Sequence, residues 1–335
     1  MTRDVAIVAF GQSEHRRDSS EFSEVEMLMP VLHAVLGQVG LTTDQIDFTC
    51  SGSSDYLAGR AFSFTMALDG VGAWPPIAES HVEMDGAWAL YEAWVKILTG
   101  EAETALVYAY GKSSPGELRD VLTRQLDPYY VAPLWPDSVS LAALQAQSLI
   151  DVGLTDERRL AAIAARYGAR TGADDYVVRP LRRRDCPPIH DGAAAVVLAA
   201  GDTARRLCPR PAWIRGMDHR IEAHSLGVRD LSDSPSTRQA AERAGAFDAP
   251  VDTAELHAPF SSQEVVLRRA LRLGDSVAVN PSGGALVANP VMAAGLIRLG
   301  EAAARIHRGQ SQRALAHATS GPCLQQNLVA VLEAS

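Results

Sequence analysis

The stretches TAELHAPF (residues 253–260) and VAVNPSGGALVANP (residues 277–290) decide how this chain folds. Each begins as an apolar run typical of a buried strand and then turns at Pro or Gly. An almost wholly apolar helical pattern follows over 291–306. Asn289 precedes Pro290 and is predicted to cap this helix, since Asn caps well and Pro at the first turn lacks only an unpaired N–H.

Two polar side chains, His257 and Asn289, therefore stand where a strand or loop meets a helix. Helix N-termini favour developing negative charge, so reactive groups are often held there. After His257 the chain is predicted to begin a further helix, because Ser261 and Glu264 have the spacing of a capping box.

Composition excludes several classes of protein. The 335 residues are 47% hydrophobic and 21% charged, as in an ordinary soluble protein. The net charge is −9 and the longest basic run is Arg182–Arg184, which argues against nucleic acid or an anionic membrane as the main partner. No apolar stretch approaches the length of a membrane span, so membrane insertion is not expected.

The cellular setting is predicted from the N-terminus and the cysteines. Arg3 and Asp4 come directly before a strand pattern at 5–8, which leaves no room for a signal peptide. The four cysteines are scattered without paired metal spacing. We expect a reduced, cytoplasmic protein without a structural zinc site.

A unit of helix, glycine and strand occurs twice. The first copy has a helical pattern ending at Gly100 and a strand over Thr104–Tyr110; the second ends at Gly309 and continues as a strand over Arg313–His317. Each glycine lies five positions before an Ala-Leu pair that begins at Ala105 or Ala314. An internal duplication explains this spacing, and alternating strands and helices predict mixed sheets with helices on their faces.

Four stretches together resemble the thiolase superfamily, and most closely its lipid-transfer or sterol-carrier-type thiolase-like branch. They are VAIVAFGQS (5–13), DGAAAVVL (191–198), ELHAPF (255–260) and VNPSGG (279–284). The resemblance implies an α/β fold of two similar βαβαβαββ halves in a five-layer αβαβα stack. The halves would be residues 1–202, with a loop or lid excursion at about 115–185, and residues 203–335.

The departures from the thiolase pattern bear on the chemistry. Where thiolases carry a nucleophilic Cys at the start of the first central helix, this chain has Glu83. Their Gly-His-Pro at the second central helix is Ala288-Asn289-Pro290 here, and Cys323 stands near the position of their second Cys. A carboxylate cannot store an acyl group as a thiolate does, so the usual two-step acyl transfer is not expected.

The candidate site residues follow from this alignment and from helix-end chemistry. The catalytic candidates are His257, Glu83, Asp85, Asn289 and Cys323, and the substrate-binding candidates are Asn280, Gly283 and Gly284. For most of these a structural interpretation stays open. Glu83 and Asp85 could be helix-end charges or a buried general base, Asn289 a cap or an oxyanion donor, and Cys323 a buried apolar residue or a thiol catalyst.

Weaker candidates are polar groups near element ends and groups of arginines. His81, Tyr110 and Lys112 lie near strand or helix ends. Contacts with coenzyme A phosphates are possible for Arg182–Arg184 or for Arg268, Arg269 and Arg272, although solvated faces explain these arginines equally well.

The resemblance implies a carbon–carbon lyase (an aldolase) acting on a CoA thioester of a lipid or sterol side chain. Retro-aldol cleavage of a β-hydroxyacyl-CoA needs a base and donors for the enolate but no nucleophilic Cys. No separate cofactor is expected, since coenzyme A is part of the substrate. The implied partners are a second copy of the chain, paired through Thr104–Tyr110 or its neighbours, and a small OB-fold protein. The alternatives are an atypical acyltransferase using Cys323 and a non-catalytic subunit or acyl-CoA binder.

Overall fold

The computed structural model describes residues 3–168 and 175–335. The described strands are β1 Val5–Gln12, β2 Phe48–Gly52, β3 Glu79–Val82, β4 Thr104–Gly111, β5 Tyr176–Val178, β6 Leu181–Arg182, β7 Gly192–Ala200, β8 Ala212–Ile221, β9 Thr253–Leu256, β10 Ala278–Val279, β11 Arg313–Ser320 and β12 Gln326–Glu333. The described helices are α1 Glu24–Val39, α2 Asp55–Ala58, α3 Thr65–Val71, α4 Gly86–Leu98, α5 Leu118–Arg124, α6 Ser138–Asp151, α7 Glu157–Arg166, α8 Gly201–Leu207, α9 Pro235–Arg243, α10 Ser261–Ala270, α11 Gly284–Val287 and α12 Ala294–His307.

The same strand order occurs in both halves, as the predicted internal duplication requires. Ten of the described strands pair in the order β10-β9-β11-β12-β8-β1-β7-β4-β2-β3. When the five strands of each half are numbered along the chain, both halves read 3-2-4-5-1. In each half the pairings 3-2 and 2-4 are parallel, and the pairings 4-5 and 5-1 are antiparallel. The halves meet where β1 pairs with β8 through Ala6–Trp213 and Ile7–Ala212. Both halves have the predicted βαβαβαββ order.

Three apolar clusters separate five layers. The first lies between α1 and α3 on one side and the outer faces of β1, β4 and β7 on the other. A central cluster surrounds α4 and α12 and contacts the inner faces of both halves. A third packs α9 and α10 against β9, β11 and β12. The all-round apolarity of the two central helices is explained by this burial on every side.

The two central helices approach each other closely at Gly86. A Cβ at this position would lie 2.6 Å from the Cβ of Ala109 and 2.9 Å from Cδ2 of Leu296. Only a glycine permits this approach. The close packing brings the N-terminus of α4 beside that of α12, and these two helix ends form one wall of the candidate site.

One predicted helix start and two predicted helix caps are wrong. Helix α12 begins at Ala294 rather than at 291, after a turn in which the N–H of Ala293 donates to the carbonyl of Pro290 at 3.0 Å. Asn289 is not its cap, because its side-chain oxygen is bonded to His257 instead.

The capping box of Ser261 and Glu264 is also absent. Helix α10 begins at Ser261 itself, and the hydroxyl of Ser261 donates to Asp185 at 2.7 Å. Gln263 accepts the free N–H of Phe260 at 3.3 Å. Glu264 is fully buried and holds side chains from α7 and α10 rather than the helix end.

The excursion predicted at about 115–185 packs on the second half. It contains α5, α6 and α7, and Gln145 on α6 accepts from Gln263 on α10 at 3.4 Å. Residues 169–174 of this excursion lie outside the described residues. The proposed boundary between residues 202 and 203 falls inside α8 and remains a prediction.

The strand predicted to join two copies, Thr104–Tyr110, is internal. Strand β4 is buried along its whole length, and β2 and β7 on either side of it are internal as well. These three strands therefore cannot pair with a second copy. The edges of the ten-stranded sheet belong to β3 and β10. Helices among residues 3–168 and 175–335 are all too short or too polar to span a bilayer.

Candidate functional site

A cavity of about 1030 Å³ opens between the excursion and the ends of the central elements. Its apolar wall comes largely from the excursion, through Leu118, Leu122, Leu126, Val131, Val139 and Leu141. Its polar end is formed by residues near the starts of the two central helices and the ends of β9 and β11. All five predicted catalytic residues line the cavity: His257, Asp85, Asn289, Cys323 and Glu83.

His257 follows directly after β9 and is held in one tautomer. Its Nδ1 accepts the backbone N–H of Thr319 at 3.3 Å, so Nε2 carries the proton and donates to Oδ1 of Asn289 at 3.1 Å. Burial lowers the pKa of His257 to about 3, and the positive charge of Arg298 acts in the same direction. The ring is therefore neutral at physiological pH, and its one N–H is donated to Asn289 at the polar end of the cavity.

Asn289 is the direct partner of His257. Its backbone forms a bridge with Ile189, and its side-chain oxygen is occupied by His257. The amide NH₂ makes no hydrogen bond to any residue in the described ranges, and the side chain lines the cavity. The predicted capping role is wrong, whereas the arrangement allows the predicted role as a donor to an oxygen of a bound ligand.

Asp85 ties the two central helices together. Its carboxylate accepts the N–H of Ala87 at 2.8 Å in α4, and those of Gly295 at 2.8 Å and Leu296 at 3.0 Å in α12. The side chain is buried, and burial raises its pKa to about 6, opposed by these three N–H donors. This carboxylate caps both helices, because each N-terminus leaves N–H groups without helical partners.

Glu83 stands before α4 but is exposed, contrary to the buried carboxylate that one interpretation required. Its Oε1 accepts the backbone N–H of Asp55 at 2.6 Å. The side chain lines the outer part of the cavity, so it is near a bound ligand without being removed from water.

Cys323 reaches the cavity but is poorly suited to act as a thiolate. Its thiol donates to the carbonyl of Leu141 at 3.3 Å, and burial raises its pKa to about 11. Thiols react as thiolates, so this environment disfavours nucleophilic attack.

We expect Cys323→Ser to retain turnover within about tenfold, because the hydroxyl can keep the hydrogen bond to Leu141. Thiol-directed reagents should likewise leave most of the activity. The measurement is steady-state turnover of a CoA thioester before and after treatment. Complete loss in a folded Cys323→Ser protein would instead indicate a thiol-dependent acyltransferase.

The predicted substrate-binding residues of the NPSGG loop lie outside the cavity lining. Asn280 accepts the backbone N–H of Leu256 at 2.5 Å, and Gly283 and Gly284 form a turn with positive φ. The loop instead positions His257 indirectly, because Asn280 binds the backbone of Leu256, the residue that precedes His257.

Most weaker candidates have structural partners. His81 stacks on Phe64, the hydroxyl of Tyr110 donates to the carbonyl of Ser63 at 3.1 Å, and Lys112 binds the carbonyl of Phe22. None of these three lines the cavity within the described chain.

The two groups of arginines lie in different places relative to the cavity. Arg268, Arg269 and Arg272 are engaged by Glu264, the carbonyl of Ser232 and the ring of Phe247, away from the described cavity lining. Arg183 and Arg184 do line the cavity, whereas Arg182 pairs with Glu157.

Sequence reasoning missed several residues at this site. Arg17, Arg119 and His190 line the cavity, and only their fold-dependent positions bring them there. Behind His257, the Glu255–Arg298 ion pair at 3.1 Å is buried and links β9 to α12. The signal that could have found His190 is its place directly before the DGAAAVVL stretch.

Comparisons with known proteins bear on the fold of the chain. No family model matches the chain. It is 29% identical over 148 residues to the acetyl-CoA acetyltransferase of Methanothermobacter thermautotrophicus, which covers 37% of this chain and 39% of that protein. It is 31% identical over 101 residues to the beta-ketoadipyl-CoA thiolase of Pseudomonas putida, covering 29% of this chain and 24% of that protein. These matches thus span well under half of the relatives' lengths.

Similarity to solved structures extends over nearly the whole chain. The Ltp2-ChsH2(DUF35) aldolase superposes with a TM-score of 0.79 at 18% identity, covering 99% of this chain and 98% of that one. Human mitochondrial 3-ketoacyl-CoA thiolase superposes with a TM-score of 0.75 at 16% identity, covering 99% of each chain. The fold is therefore the thiolase fold, and the predicted fold class is confirmed.

Proposed function

We propose that this chain is a thiolase-like enzyme of the lipid-transfer or sterol-carrier type. In this proposal it cleaves a carbon–carbon bond in a β-hydroxyacyl-CoA by a retro-aldol reaction. The observation that carries the proposal is the neutral His257–Asn289 pair at the end of a large apolar cavity, with a carboxylate rather than a thiol before α4. The thiolase fold and the similarity to a structure described as an aldolase support it.

The reaction requires from the protein a base and a hydrogen-bond donor for the enolate. A base takes the β-hydroxyl proton; the O–H electrons form the new carbonyl, and the Cα–Cβ electrons pass to the thioester as an enolate. Proton uptake at Cα then gives the shortened acyl-CoA. The NH₂ of Asn289 is the donor proposed for the enolate oxygen, and the Nε2–H of His257 orients it by binding the side-chain oxygen of Asn289, in a site where burial strengthens the hydrogen bond.

The cavity favours a long or bulky apolar acyl group. Its volume of about 1030 Å³ is at the upper end of the range for small-molecule sites, and leucines and valines of the excursion line it. Arg17, Arg119, Arg183 and Arg184 also line it and are of the charge that coenzyme A phosphates require. A lipid or sterol side chain is therefore the proposed acyl class, and no separate cofactor is proposed.

An acyltransferase is the second candidate, because the partial matches are to an acetyltransferase and a thiolase. The hydrogen-bonded thiol of Cys323, with its raised pKa, weighs against it.

Product analysis tests the proposal. The purified protein is incubated with β-hydroxybutyryl-CoA, β-hydroxyoctanoyl-CoA and a β-hydroxyacyl-CoA that carries a sterol ring system. We expect equal amounts of a ketone or aldehyde and a shortened acyl-CoA, fastest with the bulky acyl groups. Acyl exchange that needs free coenzyme A and a β-ketoacyl-CoA would favour the transferase. Tight binding of all three without any product would favour a non-catalytic role.

The proposed partners are a second copy of the chain and a small OB-fold protein. One structural neighbour is titled as an aldolase of Ltp2 with ChsH2(DUF35), which motivates assaying the chain both alone and with such a partner. For the homodimer, β3 (Glu79–Val82) is the edge strand of the first half that is free to pair.

We expect light scattering at micromolar concentration to give about twice the chain mass of 35.8 kDa. Introducing Pro into β3 should reduce this mass, because Pro removes a backbone donor from a sheet edge. A monomer at every concentration would contradict the dimer.

A further inference from the structure

His190 is the ionisable cavity residue whose ring has no partner of its own. Its neighbours on both sides are fixed: Ile189 forms a bridge with Asn289, and Asp191 exchanges backbone hydrogen bonds with Arg16 at 2.7 and 3.1 Å. His190 thus lies beside the Asn289 that His257 holds, and its side chain lines the same cavity. The rigid backbone gives the ring a defined place at the polar end.

Neither ring nitrogen of His190 makes a hydrogen bond within residues 3–168 and 175–335. Nδ1 is buried and unpartnered, so Nε2 is the nitrogen that remains accessible from the cavity. A second imidazole, His15, has a buried and unpartnered Nε2. Buried polar atoms without partners are rare and costly in folded proteins. The Nε2 of His190 has no partner among the described residues either, and a ligand group at the cavity wall can reach it.

His15 packs against the same corner of the site. A Cβ on Gly192 would lie 2.8 Å from Cδ2 of His15 and 3.4 Å from the ring of Pro290. Gly192 is therefore sandwiched between His15 and the Asn289–Pro290 turn. His15 is close enough to His190 for the charge of one ring to affect the pKa of the other.

The charge state of His190 suits a base. Burial lowers its pKa, and the nearby Arg17 acts in the same direction while Asp191 opposes both. The two carboxylates that are candidates for the base already accept hydrogen bonds. Asp85 accepts three backbone N–H groups, and the exposed Glu83 accepts one from Asp55. A neutral imidazole with an accessible nitrogen is the better acceptor of a hydroxyl proton.

We infer that His190 is the general base of the proposed reaction and takes the β-hydroxyl proton on Nε2. The O–H electrons become the carbonyl of the leaving aldehyde or ketone. The Cα–Cβ electrons pass to the thioester as an enolate held by the NH₂ of Asn289. The imidazolium then delivers its proton to Cα of this enolate, which yields the shortened acyl-CoA and restores neutral His190, so the cycle balances without a further reactant. This inference rests on the proposed function.

His190→Ala should lower the cleavage rate about 100- to 10 000-fold, the contribution typical of a positioned base. Binding of a thioether analogue of the substrate, which cannot form an enolate, should change by less than about threefold under the same reasoning. Added imidazole should restore part of the rate to His190→Ala in proportion to its free-base concentration. His190→Gln should be equally slow but not rescued, because its side chain still fills the space.

Two further variants separate His190 from other groups. His33→Ala removes an exposed histidine of α1 outside the described cavity lining and should retain cleavage within about threefold. Glu83→Gln tests the competing carboxylate and should lower cleavage by less than the His190 variants do.

Near wild-type cleavage by both folded His190 variants would overturn the inference alone, as would loss in Glu83→Gln with retention in His190→Ala. If the wild-type protein cleaves no β-hydroxyacyl-CoA, the proposed function fails and the inference fails with it. Thermal unfolding checks that each variant is folded, and His190→Gln carries the test if the Ala variant is not.

Discussion

His257→Ala is expected to lower the turnover of a β-hydroxyacyl-CoA about 100- to 1000-fold, the loss typical of removing one oxyanion donor. The change removes the Nε2–H and also releases the oxygen of Asn289, which His257 holds at 3.1 Å. The NH₂ of Asn289, the donor proposed for the enolate oxygen, is therefore no longer held in place. The measurement is kcat and KM for the best substrate, and the loss should fall mainly on kcat.

Two further variants make this result interpretable. Asn289→Asp removes the NH₂ donor at nearly constant shape and should cost a similar factor. His307→Gln changes another buried histidine, one bonded to the carbonyl of Ile7 at 3.0 Å and outside the described cavity lining, and should retain turnover. Full turnover in His257→Ala would refute the site assignment without affecting the fold.

Asp85→Ala is expected to destabilise the folded protein by about 3–5 kcal/mol. The variant strips three buried N–H groups of their acceptor at the starts of α4 and α12, and each such loss costs about 1–3 kcal/mol. Urea denaturation measures the free energy of unfolding. A loss below about 1 kcal/mol would show that water replaces the carboxylate and that Asp85 is not a shared cap.

Asp85→Asn tests the charge of the same side chain. Because the folded-state pKa of about 6 lies above the ordinary value of 3.8, the stability linked to protonated Asp85 is present below 3.8 and is lost as pH rises through 6. Asn keeps an acceptor but does not titrate. The wild-type protein should therefore lose roughly 1 kcal/mol relative to Asp85→Asn between pH 5 and pH 8. An unchanged difference would mean that the pKa of Asp85 is not raised.

Much of the fold could be predicted from local pattern. The glycine-to-strand spacing at Gly100 and Gly309 anticipated strands β4 and β11, and the repeat anticipated two similar halves, in which the structure shows the same 3-2-4-5-1 strand order. Helix starts were less predictable. The pattern at Asn289-Pro290 is typical of a helix cap, but the side chain of Asn289 forms a hydrogen bond with His257 instead of capping α12.

The site was predicted as a set of residues but not as a set of roles. Glu83 and Asp85 lie two positions apart in the sequence, and from the sequence alone they are equally good candidates for a base. The packing of α4 against α12 buries Asp85 between two helix ends and leaves Glu83 exposed, so only the fold separates them. His190 is marked in the sequence only by its place directly before DGAAAVVL, and its position in the site depends on a bridge between Ile189 and a residue one hundred positions away.

The sequence by itself determined the strands, the duplicated architecture and the absence of a thiol before the first central helix. These are properties of residue identity, periodicity and spacing, which act locally along the chain. The tertiary structure alone decided which polar groups meet, how each is protonated and which remain unpartnered. Burial, opposed helix ends and long-range hydrogen bonds set those properties, and none of them can be read from neighbours in sequence.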